Sequence, residues 1–258
     1  MSSRTTVVQD TWTLTVRMLK HNIRSSDTIM TVLATPVMML LAFVFVLGGA
    51  MDTGPTRYVD YVVPVVALFC IVSGVAYTAF RVNQDVIKGV YARFRTMPVA
   101  RTAMVAGHIV ASVIVNGVSV AILFGIAFGV GYRPSASLVE WGVTIGLLVV
   151  ALLAFSVMGV SFGLAAKTDE GASMFMYFAI GLLFVSSGFA PTDTMPSPVQ
   201  AFADHQPMTP IINAIRDTQL GHMDGVGVLI AFGWLAAMVV VFSLLAGTAG
   251  KRGTSRSL

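Results

Sequence analysis

Positive charge is concentrated in one stretch of this chain. The sequence KGVYARFRTMPVARTA, from Lys88 to Ala103, holds four of the sixteen lysine and arginine residues and has no acidic residue. Such cations can orient a membrane protein, because lysine and arginine are enriched in loops on the cytoplasmic side. They can also contact acidic groups through charge-assisted hydrogen bonds. Whether these cations orient the chain in a membrane or contact an acidic partner depends on the secondary structure around them.

Groups suited to catalysis or metal binding are sparse. The four histidines, His21, His108, His205 and His222, are scattered along the chain, and no HExxH motif occurs. A Walker A motif is also missing, so we expect no ATP hydrolysis through a P-loop of this chain. The single cysteine, Cys70, excludes an internal disulfide and a CxxC site. The sequence therefore predicts a protein that is not an enzyme and binds no metal.

Most of the chain is apolar enough to be surrounded by lipid. It is 56% hydrophobic and 11% charged, and its mean hydropathy is +0.83. Six stretches lack Asp, Glu, Lys and Arg, and each is at least 20 residues long, as a helix needs to cross a bilayer. The predicted spans are 28–51, 58–80, 103–132, 138–166, 171–191 and 225–249. We expect an all-α integral membrane protein whose 258 residues form a single domain with six transmembrane helices.

The distribution of cations predicts the orientation. With six spans, thirteen lysine and arginine residues fall on the side of the termini and three, Arg57, Arg133 and Arg216, on the other. The positive-inside rule therefore places both termini in the cytoplasm. This bias explains the net charge of +4 without nucleic-acid binding. Apart from His108, near the cytoplasmic start of the third predicted span, the spans have no acidic or basic side chain away from their ends, which is evidence against an ion-coupled carrier.

Residues 1–27 are predicted to form an amphipathic helix at the cytoplasmic membrane interface. On a helical wheel the apolar residues fall within an arc of about 80°, and Asp10, Arg17, Lys20 and Arg24 lie opposite. The alternative is a basic flank that only orients the first span. The apolar arc consists of Val8, Trp12, Val16, Leu19 and Ile23.

The basic stretch lies in the predicted cytoplasmic loop 81–101, which also has an apolar stripe. Val86, Val90, Phe94 and Met97 cluster within about 80° of a helical wheel. The stripe predicts a short amphipathic helix that ends near Pro98. If the charges serve only to orient the spans, the stripe has no explanation.

On the other side, residues 192–224 form the one long predicted loop. Several prolines divide it into short pieces. The segment PIINAIRDTQLG, which begins at Pro210, predicts a helix with Ile211, Ile215 and Thr218 on one face. We therefore expect short extracellular helices before the last span.

Two glycine pairs have the spacing of close helix contacts. Gly125 and Gly129 form the first pair, and Gly159 and Gly163 the second. Such pairs permit close packing either within one subunit or between two subunits.

Two sequence blocks resemble a known family. GVYARFRTMPVARTAMVAGHIVAS, residues 89–112, resembles the cytoplasmic loop of type-2 ABC exporter permeases, particularly the daunorubicin-resistance branch. Ala92 and His108 depart from the family pattern, which usually has an acid and an arginine there. The matching residues are Arg93, Phe94, Arg95, Thr96, Pro98, Arg101 and Gly107.

The second block is FADHQPMTPIINAIRDTQLG, residues 202–221, which is similar to the extracellular segment before the last span in that family. SSGFAPTDTMP, residues 186–196, also fits the pattern, so the resemblance extends over essentially the whole chain. The matching residues of the second block are His205, Gln206, Pro207, Thr209, Asn213, Arg216 and Gly221.

The resemblance implies a permease subunit in a bacterial plasma membrane that pairs with a separate ATP-binding subunit. ATP and Mg²⁺ would bind to that partner and not to this chain. A second permease subunit, identical or different, would complete the exporter, with membrane lipid around it. The loop 81–101 would be a coupling helix against the ATP-binding subunit, and the N-terminal helix a second contact. The residues assigned to the coupling contact are Val90, Arg93, Phe94, Arg95, Thr96, Pro98 and Arg101.

The cargo is less well defined by the sequence. Spans rich in Phe, Met, Leu and Val suit a hydrophobic or amphipathic substrate, such as a drug, a lipid or a glycolipid. The alternatives are export of a polysaccharide or a lipid-linked glycan, and a membrane anchor for a cytosolic partner that transports nothing.

Overall fold

The computed structural model describes residues 3–49, 57–90 and 101–252, and the regular structure within them is helical throughout. This confirms the predicted all-α class. Two π-helical turns, Met30–Ala34 and Phe43–Leu47, flank α3. The helices are α1 (Ser3–Arg24), α2 (Ser26–Ile29), α3 (Thr35–Ala42), α4 (Tyr58–Ile87), α5 (Arg101–Val130), α6 (Leu138–Ala165), α7 (Asp169–Phe184), α8 (Ser197–His205), α9 (Met208–Gln219) and α10 (Gly225–Arg252), with a 3₁₀ turn at Thr192–Thr194.

Within the described residues, five helical segments are long and apolar enough to cross a membrane. Their lengths range from 18 to 30 residues. They coincide with the first, second, third, fourth and sixth predicted spans. The segments are Met30–Leu47, Tyr58–Ile87, Thr102–Val130, Leu138–Ala165 and Gly225–Gly247.

The fifth predicted span, 171–191, is a shorter helix than expected. Helix α7 has 16 residues, about 24 Å at 1.5 Å per residue, against a hydrocarbon core of about 30 Å. It ends at Phe184 because the following chain turns: the Ser186 hydroxyl donates to Leu183 O at 2.6 Å and accepts from Gly188 N at 3.1 Å. The count of six spans therefore stays a prediction.

Helix α4 is the centre of the bundle. It is buried over nearly its whole length and packs against α3, α5, α6, α7 and α9. Helix α10 contacts mainly α6 and α9, and most of its surface is exposed. In a membrane protein this exposed apolar surface suits lipid or another subunit.

The two glycine pairs differ in their surroundings. A Cβ on Gly159 would lie 2.4 Å from Val75 Cγ1, and one on Gly163 would lie 2.5 Å from Ala79 O. These two glycines therefore let α6 pack closely on α4 inside one chain. A Cβ on Gly125 or Gly129 would meet no described atom within 4 Å.

Contacts between antiparallel helices define two ends of the bundle. At the "α1 end" lie α1, the last turns of α4, the first turns of α5 and the α6–α7 connection, where Asn83 Nδ2 donates to Ala166 O at 2.8 Å. At the "α9 end" lie the first turn of α4, the α5–α6 connection and residues 185–221. There Arg133 N donates to Asp60 Oδ1 at 3.0 Å, and Ser135 N to Gln219 O at 3.0 Å.

Candidate functional site

Helix α1 packs along the first half of α5. Leu14 is 7% exposed and Thr15 is fully buried. The Thr15 hydroxyl donates to Thr11 O at 2.8 Å, so this polar side chain satisfies its hydrogen bond inside α1. A Cβ on Gly107 would lie 3.2 Å from Leu14 Cβ, which shows how closely the two helices approach.

The predicted apolar arc of α1 faces mainly away from this contact. Val8 is 71% exposed and Trp12 is 60% exposed, whereas Val16 and Leu19 are half-buried. The side chain of Ile23 lies outside the described residues. The predicted helix is confirmed as Ser3–Arg24, and the assignment of its exposed arc to the membrane interface stays a prediction.

A small apolar cluster joins α1 to both flanks of the basic stretch. Leu14, Ala103 and Met104 are buried together, and Val90 packs against them. Val90 lies near the start of the basic stretch, Ala103 is its last residue, and Met104 follows it in the first turn of α5. The chain therefore leaves and re-enters the bundle at the same point on α1.

The predicted coupling helix is interrupted at its start. Helix α4 ends at Ile87, and Gly89 has a φ of +69°, a left-handed conformation that ends helices and that glycine adopts without steric cost. Val86 and Val90 therefore do not share one continuous helix, which corrects the predicted stripe. Lys88 is exposed at this point.

Five residues of the predicted coupling motif cannot be placed. Arg101 is the first residue of α5, and its side chain also lies outside the described part of the chain. The five residues, which lie within 91–100 and thus outside the described residues, are Arg93, Phe94, Arg95, Thr96 and Pro98.

His108 contacts an acid at the α1 end. It is 6% exposed, and its Nε2 lies 3.3 Å from Asp85 Oδ2 of α4, without the geometry of a hydrogen bond. This contact joins α4 to α5 through two residues, Asp85 and His108, that are 23 positions apart in the sequence. His108 is also a position where the sequence departs from the family pattern.

At the α9 end, Arg216 is buried without a carboxylate partner among the described ion pairs. Its Nη2 donates to Ser187 O at 2.9 Å and to Gly188 O at 3.2 Å, and its Nε donates to Tyr61 O at 3.3 Å. Its guanidinium lies 3.7 Å from the centre of the Tyr61 ring, a cation–π contact. Burial lowers the pKa of the Arg216 guanidinium, because desolvation disfavours the charged form.

The other polar residues of this motif bind the turn after α7. Gln206 Nε2 donates to Leu182 O at 3.1 Å, at the helix end. Thr209 Oγ1 accepts from Ser187 N at 3.2 Å, and Asn213 Oδ1 accepts from the Ser187 hydroxyl at 2.6 Å. We call Gln206, Thr209, Asn213 and Arg216, with the backbone they hold, the "α9 clamp".

Two residues of the second family block, His205 and Pro207, lie outside the α9 clamp. His205 is exposed in the last turn of α8, and its Nδ1 lies 2.8 Å from Ala201 O. Pro207 directly precedes α9 and makes no capping hydrogen bond through its side chain. The predicted helix is confirmed as Met208–Gln219, with Ile211, Ile215 and Thr218 fully buried.

A polar cluster inside the bundle was not predicted from the sequence. The Ser112 hydroxyl of α5 accepts from Thr78 Oγ1 at 3.1 Å, Asn116 Nδ2 at 3.1 Å and Ser156 Oγ at 2.9 Å. A Cβ on Gly74 would lie 1.6 Å from Asn116 Oδ1, so only glycine leaves room for that amide. Uncharged polar residues spaced along three helices gave no signal in a single sequence.

The arrangement fits binding and conformational coupling better than catalysis. Within 3–49, 57–90 and 101–252, no three His, Cys, Asp or Glu side chains come together as metal ligands would. The α1 end offers exposed cations beside an apolar cluster, as a protein-contact surface does. The α9 end offers a buried network of hydrogen bonds.

Comparison with known proteins identifies the family. Residues 9–220 match the family described as ABC-2 type transporter. The chain belongs to this family. It is 31% identical over 215 residues to a daunorubicin resistance ABC transporter permease protein of Streptomyces coeruleorubidus, covering 81% of this chain and 75% of that protein.

Two further relatives come from Mycobacterium tuberculosis strains. Each is named "Probable doxorubicin resistance ABC transporter permease protein", is 26% identical over 245 residues, and is matched over 91% of this chain and 85% of its own length. This chain is thus the membrane component of an ABC transporter and a multi-pass membrane protein. Its family implies an ATP-binding partner subunit.

Proposed function

We propose that this ABC-2 permease is the membrane-spanning subunit of an ATP-driven exporter, and that its ATP-binding subunit docks at the α1 end. Both termini and the α1 end then face the cytoplasm of a bacterial cell, and the α9 end faces outward. The distribution of thirteen cations against three supports this orientation.

The observation that carries the proposal is the apolar cluster around Leu14. It ties α1 to Val90 near the start of the basic stretch and to Met104 directly after its end. A partner that pushes on the basic stretch would therefore move α1, α4 and α5 together. Lys88, exposed beside this cluster, adds positive charge that favours an acidic partner surface.

Within the docked complex, we assign apolar contacts to Val90 and Phe94 and charge-assisted contacts to Arg93 and Arg95. Closure of two ATP-binding subunits on ATP and Mg²⁺ would shift these contacts. Because close-packed helices switch between discrete packings, the shift would convert the bundle from an inward-facing to an outward-facing state. Two permease chains and two ATP-binding chains would make up one exporter.

The proposed cargo is a hydrophobic or amphipathic molecule, such as a drug, a lipid or a glycolipid. The names of the relatives, which refer to daunorubicin and doxorubicin resistance, favour a drug-like cargo. The bundle interior supports this choice, because its polar cluster of Ser112, Asn116 and Ser156 carries no formal charge. Export of a lipid-linked glycan is the alternative.

The test is transport by proteoliposomes that contain this chain and its ATP-binding subunit. We expect ATP-dependent movement of daunorubicin. The Phe94→Ala with Arg95→Ala double variant is expected to lose most of this transport and to retain less ATP-binding subunit during copurification. A matched control is Phe202→Ala with Arg133→Ala, which removes one exposed phenylalanine and one exposed arginine at the α9 end.

Unchanged copurification and transport in the first double variant would contradict the coupling contact. Normal assembly without ATP-dependent movement of daunorubicin, a fluorescent phospholipid or a lipid-linked glycan would favour a membrane anchor. Equal losses in both double variants would indicate general destabilisation, and the docking site would then have to be placed elsewhere.

A further inference from the structure

A cavity opens at the α1 end between α1, α4 and α5. Its volume is about 90 Å³, which admits several water molecules or one tetrahedral oxyanion. Helix α1 contributes Arg17 and His21 to its wall, and α4 contributes Arg81. The apolar cluster around Leu14 forms part of the same wall.

The charge of this cavity is positive. Arg17 and Arg81 carry fixed charges, and Asp85 is the one acidic residue among the described residues that line it. The Asp85 carboxylate lies 3.3 Å from His108 Nε2, and both guanidinium groups also act on it electrostatically. Since two arginines outnumber the one carboxylate, an anion that enters the cavity is attracted.

The cavity lies beside the end of the second charge-free stretch. Arg81 is the first charged residue after the charge-free stretch from Tyr61 to Phe80. Tyr77, one turn earlier, also lines the cavity, and its hydroxyl lies 3.2 Å from Ser25 Oγ. A tyrosine followed by an arginine at the end of a span is typical of the boundary where lipid phosphates lie.

We propose that this cavity binds a phosphate group, the oxyanion carried both by phospholipid headgroups and by inorganic phosphate. The Arg17 and Arg81 guanidinium groups approach it from α1 and from α4, and each donates hydrogen bonds to its oxygens. His21 adds a further donor from α1. The bound phosphate draws α1 against the bundle. The site goes beyond the proposed transport function and does not depend on the cargo.

The test measures lipid retention by the full-length purified chain with native mass spectrometry. The probes are phosphatidylglycerol and, as the match without phosphate, diacylglycerol. Arg17→Gln with Arg81→Gln removes the two cations of the cavity. The control, Lys20→Gln with Lys88→Gln, removes two exposed cations outside the lining, one on α1 and one directly after α4. We expect phosphatidylglycerol binding to fall about tenfold in the first variant, and less than about twofold in the control.

Inorganic phosphate distinguishes the source. If it displaces phosphatidylglycerol and raises the melting temperature of the unaltered chain, the occupant is a free anion. If it does neither while phosphatidylglycerol stays bound, the occupant is a lipid headgroup. Both results support a phosphate site. Equal losses in the arginine and lysine variants, or equal retention of diacylglycerol, would overturn it.

A charge-conserving variant separates binding from folding. Arg17→Lys with Arg81→Lys keeps both charges and is expected to keep most of the phosphatidylglycerol binding. If the glutamine variant does not fold, the lysine variant and the phosphate competition on the unaltered chain decide the question. Loss of phosphatidylglycerol binding in a folded lysine variant, or no competition and no lipid retention in the unaltered chain, would overturn the site.

Discussion

The two ends of the bundle are held together by different forces. At the α9 end, Gln206, Thr209, Asn213 and Arg216 make directional hydrogen bonds to the turn after α7. At the α1 end, the contacts that join α1 to the bundle are largely apolar, around Leu14, and a polar cavity lies beside them.

This difference separates a fixed end from an adaptable one. Directional hydrogen bonds to a buried cation fix one geometry, because any displacement leaves charged donors unsatisfied. Apolar contacts are non-directional and tolerate sliding. The α9 clamp therefore holds residues 185–221 against the bundle, whereas the contact of α1 with the bundle can shift more easily.

The largest effect is expected from Arg216→Ala. It leaves the carbonyl groups of Ser187, Gly188 and Tyr61 without this donor, and the free energy of unfolding should fall by about 3 kcal/mol. Unfolding in mixed detergent micelles measures the change. Arg133→Ala, exposed at the same end, should cost less than about 1 kcal/mol. If the two variants cost the same, the hydrogen bonds of Arg216 do not hold the turn after α7.

A smaller effect is expected from Leu14→Ala. Loss of this buried side chain should destabilise the contact of α1 with α5 by about 2 kcal/mol. Hydrogen exchange of α1 amides should become faster while that of α9 stays unchanged. Val8→Ala, at a side chain that is 71% exposed, is the control and should change neither. Faster exchange in α9 would show that the two ends are not independent.

Glycine substitutions compare the packing of the two ends directly. A Cβ on Gly188 would lie 2.4 Å from Val65 Cγ2 and 2.9 Å from Val65 Cβ, whereas one on Gly107 would lie 3.2 Å from Leu14 Cβ. Gly188→Ala should therefore cost about 1.5 kcal/mol, and Gly107→Ala clearly less. The same unfolding measurement decides this, and a reversed order would contradict the assignment of the adaptable end.

The smallest effect is a pH dependence at the α9 end. Burial raises the pKa of Asp217 above its usual 3.8, and Asp224 adds to the rise, against the opposing charges of Arg216 and His222. The stability from this group is fully present below 3.8 and is lost as pH rises through the native pKa. Asp217→Asn should make the free energy of unfolding less dependent on pH between 3.8 and the raised native pKa. An unchanged pH profile would show that Asp217 is solvated.

Patterns of apolar residues predicted the elements well. The charge-free stretches located the five long apolar helical segments, and the period of Ile211, Ile215 and Thr218 located α9 and its buried face. These predictions succeed because helix periodicity and lipid solvation act locally along the chain.

Contacts between distant segments were missed. Arg216 looked like a family motif residue, yet its partners Ser187 and Gly188 are 29 and 28 positions away. Helix α1 packs through Thr11 and Thr15 as well as Leu14. The hydroxyl groups of both threonines donate hydrogen bonds to backbone carbonyl groups of α1, so they can be buried, but a helical wheel that counts only apolar residues leaves them out. The left-handed Gly89 likewise interrupted a helix that the apolar stripe alone predicted.

The most direct test of the central claim is cysteine cross-linking to the ATP-binding subunit. The native Cys70 is buried, so one introduced cysteine supplies the accessible thiol. Lys88→Cys places it at the α1 end and Val199→Cys at the α9 end, both at exposed positions. The account predicts a cross-linked permease and ATP-binding subunit from Lys88→Cys and none from Val199→Cys. A cross-link from Val199→Cys, with none from Lys88→Cys, would contradict it.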